Sequence, residues 1–127
     1  MALRYCIDKN QRLVLTHTEG CVTFDDARAH QDQLLADPDF DPSFDELIDT
    51  TLTTKFEISA NQVRILAKRR VVSPEARRAI VAPQPHIFGV ARIMEVYHQD
   101  VGGEIQVFYS MDEALKWLEE EKVRYAS

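Results

Sequence analysis

Four consecutive apolar residues, Ala79-Ile80-Val81-Ala82, stand between Arg77-Arg78 and Pro83. A run of that length with no polar alternation suits a central strand covered on both faces, because it has no side to give to water. A sheet buried on both faces needs helices above and below it. The remaining segments are therefore read for helices alternating with strands.

They supply that alternation. Leu3, Tyr5 and Ile7 interleave with Arg4, Cys6 and Asp8, the period-two pattern of a half-buried strand. Asp8-Lys9-Asn10-Gln11 is a turn, and a second strand runs through Leu13, Val14 and Leu15 to Thr18. The short connection makes these two an antiparallel hairpin, which Gly20 ends. Thr23 has the hydroxyl to cap a helix, with Asp25 and Asp26 at its positive end. Phe24, Ala27, Leu34 and Leu35 form the inner stripe of that helix, interrupted by polar Gln31. Pro38 stops it, and Asp37-Pro38-Asp39-Phe40-Asp41-Pro42 is a loop, since each proline disfavours helix at the residue before it. Leu47 and Ile48 make a short strand ending near Asp49.

Ser59 with Gln62 is a capping box for a helix that turns Val63, Leu66 and Ala67 inward. Pro85 opens the next helix, with Ile87, Val90, Ala91, Met94 and Tyr97 at helical spacing, and Gly102-Gly103 form the loop behind it. Ile105, Val107 and Phe108 are the last strand. Ser110 with Glu113 makes another capping box, for a final helix that buries Met111, Ala114, Leu115 and Leu118. The order is thus β-β-α-β-α-β-α-β-α. It predicts an α/β fold with a mixed, mostly parallel five-stranded sheet, right-handed crossovers and four helices, in a single domain over residues 1–127.

A chain of 127 residues, 45% hydrophobic, can close a core without metals or disulfides. Fifteen basic against twenty-one acidic residues give a formal charge of −6, which disfavours nucleic acid as a partner. Cys6 and Cys21 match no zinc or redox spacing and are expected as half-buried small apolar side chains. Arg4, Asp8 and Lys9 interrupt any signal-peptide run, and no apolar stretch approaches the length of a membrane span, so the expected compartment is the cytoplasm.

The element order and several segments resemble the SpoIIAA-like (STAS/SEC14-like) proteins, relatives of the anti-sigma-factor antagonists. The matching residues are Asp37-Pro38-Asp39-Phe40-Asp41-Pro42, Leu47-Ile48-Asp49, Ser59, Arg77-Arg78-Ala79-Ile80-Val81-Ala82, Gly89-Val90-Ala91-Arg92-Ile93-Met94-Glu95 and Glu113-Ala114-Leu115-Lys116-Trp117-Leu118. The resemblance implies a STAS-like fold and a non-enzymatic binding module that engages a protein partner. In regulatory relatives a serine opening the second helix is phosphorylated by a partner kinase. The matching position is Ser59, with Ile58 where those relatives usually carry an aspartate. The SEC14 part of the resemblance implies, as an alternative, a carrier for a small apolar or lipid-like ligand.

Two places invite function. Ser59 at a helix N-terminus reads first as a plain helix cap, and the other reading is a phosphate carried close to free N–H groups and the positive dipole end. Asp49-Thr50-Thr51-Leu52-Thr53-Thr54 is expected as a loop at the carboxyl end of the third strand, where α/β sheets collect ligands. Asp49, Thr50, Thr51 and Thr53 would bind a partner or ligand there, or the threonines would satisfy local backbone. Lys68, Arg69, Arg70, Arg77 and Arg78 read as a solvated basic face, and an anionic partner is the other reading. Tyr97, Phe108, Trp117 and Tyr125 supply late aromatic surface on which a homodimer could form, or they are core. The ligand-carrier alternative predicts a pocket lined by Ile87, Phe88, Met94 and Trp117. His17, His30, His86 and His98 have no metal-motif spacing, and each is expected as a surface or half-buried polar group. No nucleophile elbow or phosphate loop is present, so no catalytic residue, metal or cofactor is expected.

Overall fold

The apolar run forms the fourth of five strands in the computed structural model, which describes residues 2–69, 71–99 and 104–120. The elements are β1 (Leu3–Asp8), β2 (Leu13–Thr23), α1 (Phe24–Ala36), β3 (Asp45–Glu57), α2 (Ala60–Lys68), β4 (Arg77–Val81), α3 (Pro85–Gln99), β5 (Glu104–Phe108) and α4 (Met111–Glu119). The sheet order is β1-β2-β3-β4-β5, with β1 antiparallel to β2 and every other pair parallel. Each crossover advances by one strand in the same direction. Right-handed connections therefore put α1, α2 and α3 together on one face and leave the other to α4.

Alternation along the strands sorts the core. Leu13, Leu47, Ala79 and Val81 turn to the α4 face and meet Ala114, with Phe108, Leu115 and Trp117 packed around them. Ile80, Ala82 and Val107 turn the other way and meet Ile87 and Ala91 of α3. Val14, Leu34, Phe44 and Val71 close the core beside α1. Arg77 is the bridge to α4. Its guanidinium donates to the backbone carbonyls of Trp117 at 2.8 Å and Glu120 at 3.0 Å, satisfying the last turn of a helix that lacks a glycine cap.

The predicted caps form. Thr23 with Asp26 and Ser59 with Gln62 are reciprocal capping boxes. Ser110 accepts from the Glu113 N–H, but its hydroxyl donates to the Glu113 carboxylate, so the second half of that box is replaced by a side-chain bond. Asp37 and Asp41 organise the predicted loop by accepting from the N–H groups of Asp39 and Ser43.

Two strands are longer than their sequences suggest. Gly20 does not end β2. It sits at φ +66 within a bulged stretch, and the strand continues to Thr23. β3 likewise runs on from Asp49 to Glu57, paired with β2 well past the last β4 partner, Asp49↔Val81. Leu35, expected inside, is 54% exposed, whereas His30 and the polar Gln31, one turn before buried Leu34, take inner positions in α1. Cys6 and Cys21 are exposed rather than half-buried. No described helix is long and apolar enough to cross a membrane.

Candidate functional site

The threonine-rich segment is not a loop. Residues 49–54 lie inside β3, and strand alternation divides them. Thr50 and Thr53 are fully buried. The Thr50 hydroxyl donates to the Val81 carbonyl at 2.6 Å, and Thr53 shares a hydrogen bond with Thr18 across the β2–β3 pair. Asp49 faces the α4 side beside His17, 3.5 Å away, and its carboxylate accepts from the Thr51 N–H and hydroxyl. At the roughly 3.3 Å rise of a strand residue, Asp49 lies far up β3 from Ser59. The five candidate residues do not converge on one site.

Ser59 is exposed at the N-cap of α2, where its hydroxyl oxygen accepts from the Gln62 N–H at 3.1 Å and its own N–H donates to the Gln62 side chain at 3.0 Å. α1 and α4 open with acidic residues, whereas the first turn of α2 has none. Immediately before it, the far ends of β2 and β3 form a two-stranded ribbon reaching past β4. Side chains stand in for the missing strand along that edge: Gln84 donates to the Thr51 carbonyl at 3.3 Å, and His86 Nε2 contacts the Thr54 carbonyl at 3.0 Å. His86 thus has a sheet-edge role. Leu52 on this ribbon is 62% exposed.

The basic cluster divides: Lys68 is exposed as a solvated face would have it, whereas three of its arginines are engaged. Arg69 reaches across to α1, donating to the Arg28 carbonyl and Gln31 and pairing with Asp32. Arg77 holds α4 and Glu104. Arg78 turns into the core, and Arg70 lies outside the described residues. The aromatic expectation divides similarly. Phe108 and Trp117 pack on each other in the α4 core with ring centres 5.6 Å apart, Arg64 stacks over Tyr97, and Tyr125 lies outside the described residues, as does the His98 side chain. Trp117 is on the opposite side of the sheet from Ile87 and Met94, so the predicted apolar pocket of those residues with Phe88 does not form.

A buried polar cluster was not anticipated. Glu46 of β3, 1% exposed, accepts from the Thr16 hydroxyl at 2.7 Å and from Arg78 at 3.1–3.2 Å, and lies 3.1 Å from His30 Nε2. Burial pushes the Glu46 carboxyl up. The Arg78 guanidinium, His30 and the Thr16 hydroxyl more than offset this and hold it at about 2. Since Glu46 Oε2 is an acceptor, the imidazole presents Nε2–H to it, and in the neutral ring Nδ1 is then an acceptor. Nδ1 is buried with no partner among the described residues. Sequence offered one signal for this cluster, a glutamate next to Leu47 on the strand face opposite to it. Among the described residues, no group of three or more His, Cys, Asp or Glu side chains is placed to hold a metal ion.

No protein-family model matches the chain, and comparison with curated proteins gives no match. A solved structure does. It is an uncharacterised protein of the DUF3478 family from Shewanella loihica PV-4, described as having a SpoIIAA-like fold. The two share 22% sequence identity with a TM-score of 0.63, over 92% of this chain and 94% of the other. The fold is SpoIIAA-like. The expected sheet of five strands with four helices is therefore met both in element order and in a solved neighbour, and the SpoIIAA-like resemblance holds at the level of the fold.

Proposed function

We propose that this SpoIIAA-like chain is a non-catalytic protein-interaction module of the STAS type, and that it docks its partner with the projecting end of the β2–β3 ribbon and the start of α2. The observation that carries this reading is the exposed Ser59, placed where the ribbon runs into a helix whose first turn has no acidic side chain. A phosphate on Ser59 would meet the N-terminal N–H groups of α2 without a like charge in that turn, and the same surface would change from neutral to dianionic. Such a change weakens docking to a partner that buries the hydroxyl. Leu52, Thr51 and Thr54 are exposed further along the same ribbon. The strongest perturbed carboxyl, Glu46, is already saturated by three partners in the core, which fits a structural role better than acid–base chemistry.

Native mass spectrometry of the chain purified from its own host tests this. The expected result is a polypeptide retained at fixed stoichiometry and lost from the Ser59→Asp variant, or a covalent phosphate mapped to Ser59. A chain that retains no polypeptide and carries no phosphate, or a partner indifferent to Ser59→Asp, contradicts the reading.

A further inference from the structure

Side chains guard parts of the sheet edge. On β5 the outward Val107 N–H donates to Glu95 of α3 at 3.1 Å, and along the end of β3 Gln84 and His86 engage the carbonyls of Thr51 and Thr54. β1, the other outer strand, is bare. The Glu19 N–H donates to the Ala2 carbonyl at 2.9 Å, so in the β1–β2 register Ala2, Arg4, Cys6 and Asp8 are the residues bonded to β2. The N–H and C=O groups of Leu3, Tyr5 and Ile7 point outward, and no side chain among the described residues takes them.

The sequence of β1 is complementary to itself. In an antiparallel pair of two copies, outward groups must face outward groups, so a twofold axis has to pass through a residue of the strand. Placed at Cys6, it sets Tyr5 opposite Ile7 of the second copy and Arg4 opposite its Asp8. Tyr5 and Ile7 are half-buried on the α1 side, and each such pair exchanges both its N–H···O=C bonds. Arg4 and Asp8 lie on the other face. Arg4 is exposed with no hydrogen-bond or ion-pair partner among the described residues. Asp8 uses Oδ1 for the N–H groups of Asn10 and Gln11, which leaves Oδ2 for a cation. Opposed Cβ atoms are about 4.5–5.5 Å apart, within reach of an ion pair. An axis at Tyr5 would instead set Arg4 against Cys6 and Asp8 against Ala2, leaving both charges unpaired. We propose that two copies of this chain associate through β1, continuing the sheet across a twofold axis at Cys6. A strip one short strand long is small for a permanent interface, so the dimer is reversible. No residue of the docking surface takes part, so this association and partner binding can fail independently.

The axis brings Cys6 opposite Cys6 of the second copy, at a Cα separation of about 4.5 Å, inside the roughly 4.4–6.8 Å that a disulfide spans. Sedimentation of the reduced chain from micromolar to millimolar concentration, and diamide oxidation followed by peptide mapping, test the proposal. The expected results are a concentration-dependent dimer and a disulfide between the two Cys6 thiols, whose hydrogens pass to diamide, with no link through Cys21, which is exposed as well. Arg4→Glu and Asp8→Lys each set like charges across the axis and should remove the dimer. An equimolar mixture of the two variants should restore it as a heterodimer, because every charge then faces its opposite; an unfolded variant could not be rescued in this way. A chain that stays monomeric, diamide links formed at Cys21 as readily as at Cys6, or a mixture of folded variants that sediments as monomers would each overturn the proposal. The diamide experiment uses the native chain, so a variant that fails to fold does not shield it.

Discussion

Glu46→Gln isolates the buried ionic cluster. The change keeps the shape of the side chain and removes the negative charge from a position 1% exposed. Arg78, whose side chain is 15% exposed, then loses the carboxylate 3.1 Å away, and His30 and Thr16 lose their shared acceptor. Breaking a buried pair from one side costs about 3–5 kcal/mol. A domain of this size has a total stability of about 5–15 kcal/mol. With a urea slope of about 1.5 kcal/mol/M, the unfolding midpoint should fall by about 2–3 M. The pH dependence gives a second reading of the same group. The folded carboxyl titrates at about 2 against 4.5 for the ordinary group, so the unfolded chain takes up its proton first as pH falls. The stabilisation is complete above pH 4.5 and is lost progressively down to pH 2, a contribution of about 3 kcal/mol. Urea melts followed by circular dichroism at several pH values should show that loss in the wild type and a flatter profile in Glu46→Gln. A variant within about 1 kcal/mol of wild type, or one with an unchanged acid profile, would refute the argument.

Other outcomes follow from single contacts. Replacing Glu46 with Leu and Arg78 with Met together should cost less than either change alone, since neither half of the buried pair is left behind; a double-mutant cycle in urea reads this directly. Ser59→Ala should cost about 1 kcal/mol by loss of the α2 cap, while Ser59→Asp stays within a few tenths because aspartate caps as well; this separates the cap from any effect on docking. Thr50→Val keeps the volume but strands the Val81 carbonyl, for about 1–2 kcal/mol in thermal or urea unfolding. Gly20→Ala should cost about 1 kcal/mol purely from φ +66, because no atom lies within 4 Å of the added Cβ.

The sequence was most legible where one local rule decided the outcome. The apolar run at β4, the hairpin alternation of β1 and the hydroxyl caps at Thr23 and Ser59 each depend on near neighbours in the chain. β3 was misread because its second half is rich in threonine and one lysine, a composition equally at home in a loop, and its strand state depends on pairing with β2. Gly20 looked like a terminator, yet a glycine in a strand can also mark a bulge, and only the β2–β3 register decides which. The buried cluster was hidden for a related reason. Thr16, His30, Glu46 and Arg78 come from four different elements, and each reads singly as a surface residue. Arg77 and Arg78 next to one another suggested a basic face, whereas strand alternation sends one to the end of α4 and the other to Glu46. Of the candidate site, Ser59 kept the exposed helix-cap position expected of it, and Thr50 and Thr53 did not keep the exposure that binding would need.

The docking surface is tested most directly by position-specific photocrosslinking in living host cells. A photoreactive residue is placed in turn at Leu52 or Ser59 and, as a control on another helix, at exposed Asp112. The account predicts a discrete covalent adduct with one protein from Leu52 and Ser59, absent from Asp112. Adducts from Asp112 with none from the ribbon end or the start of α2 would contradict it.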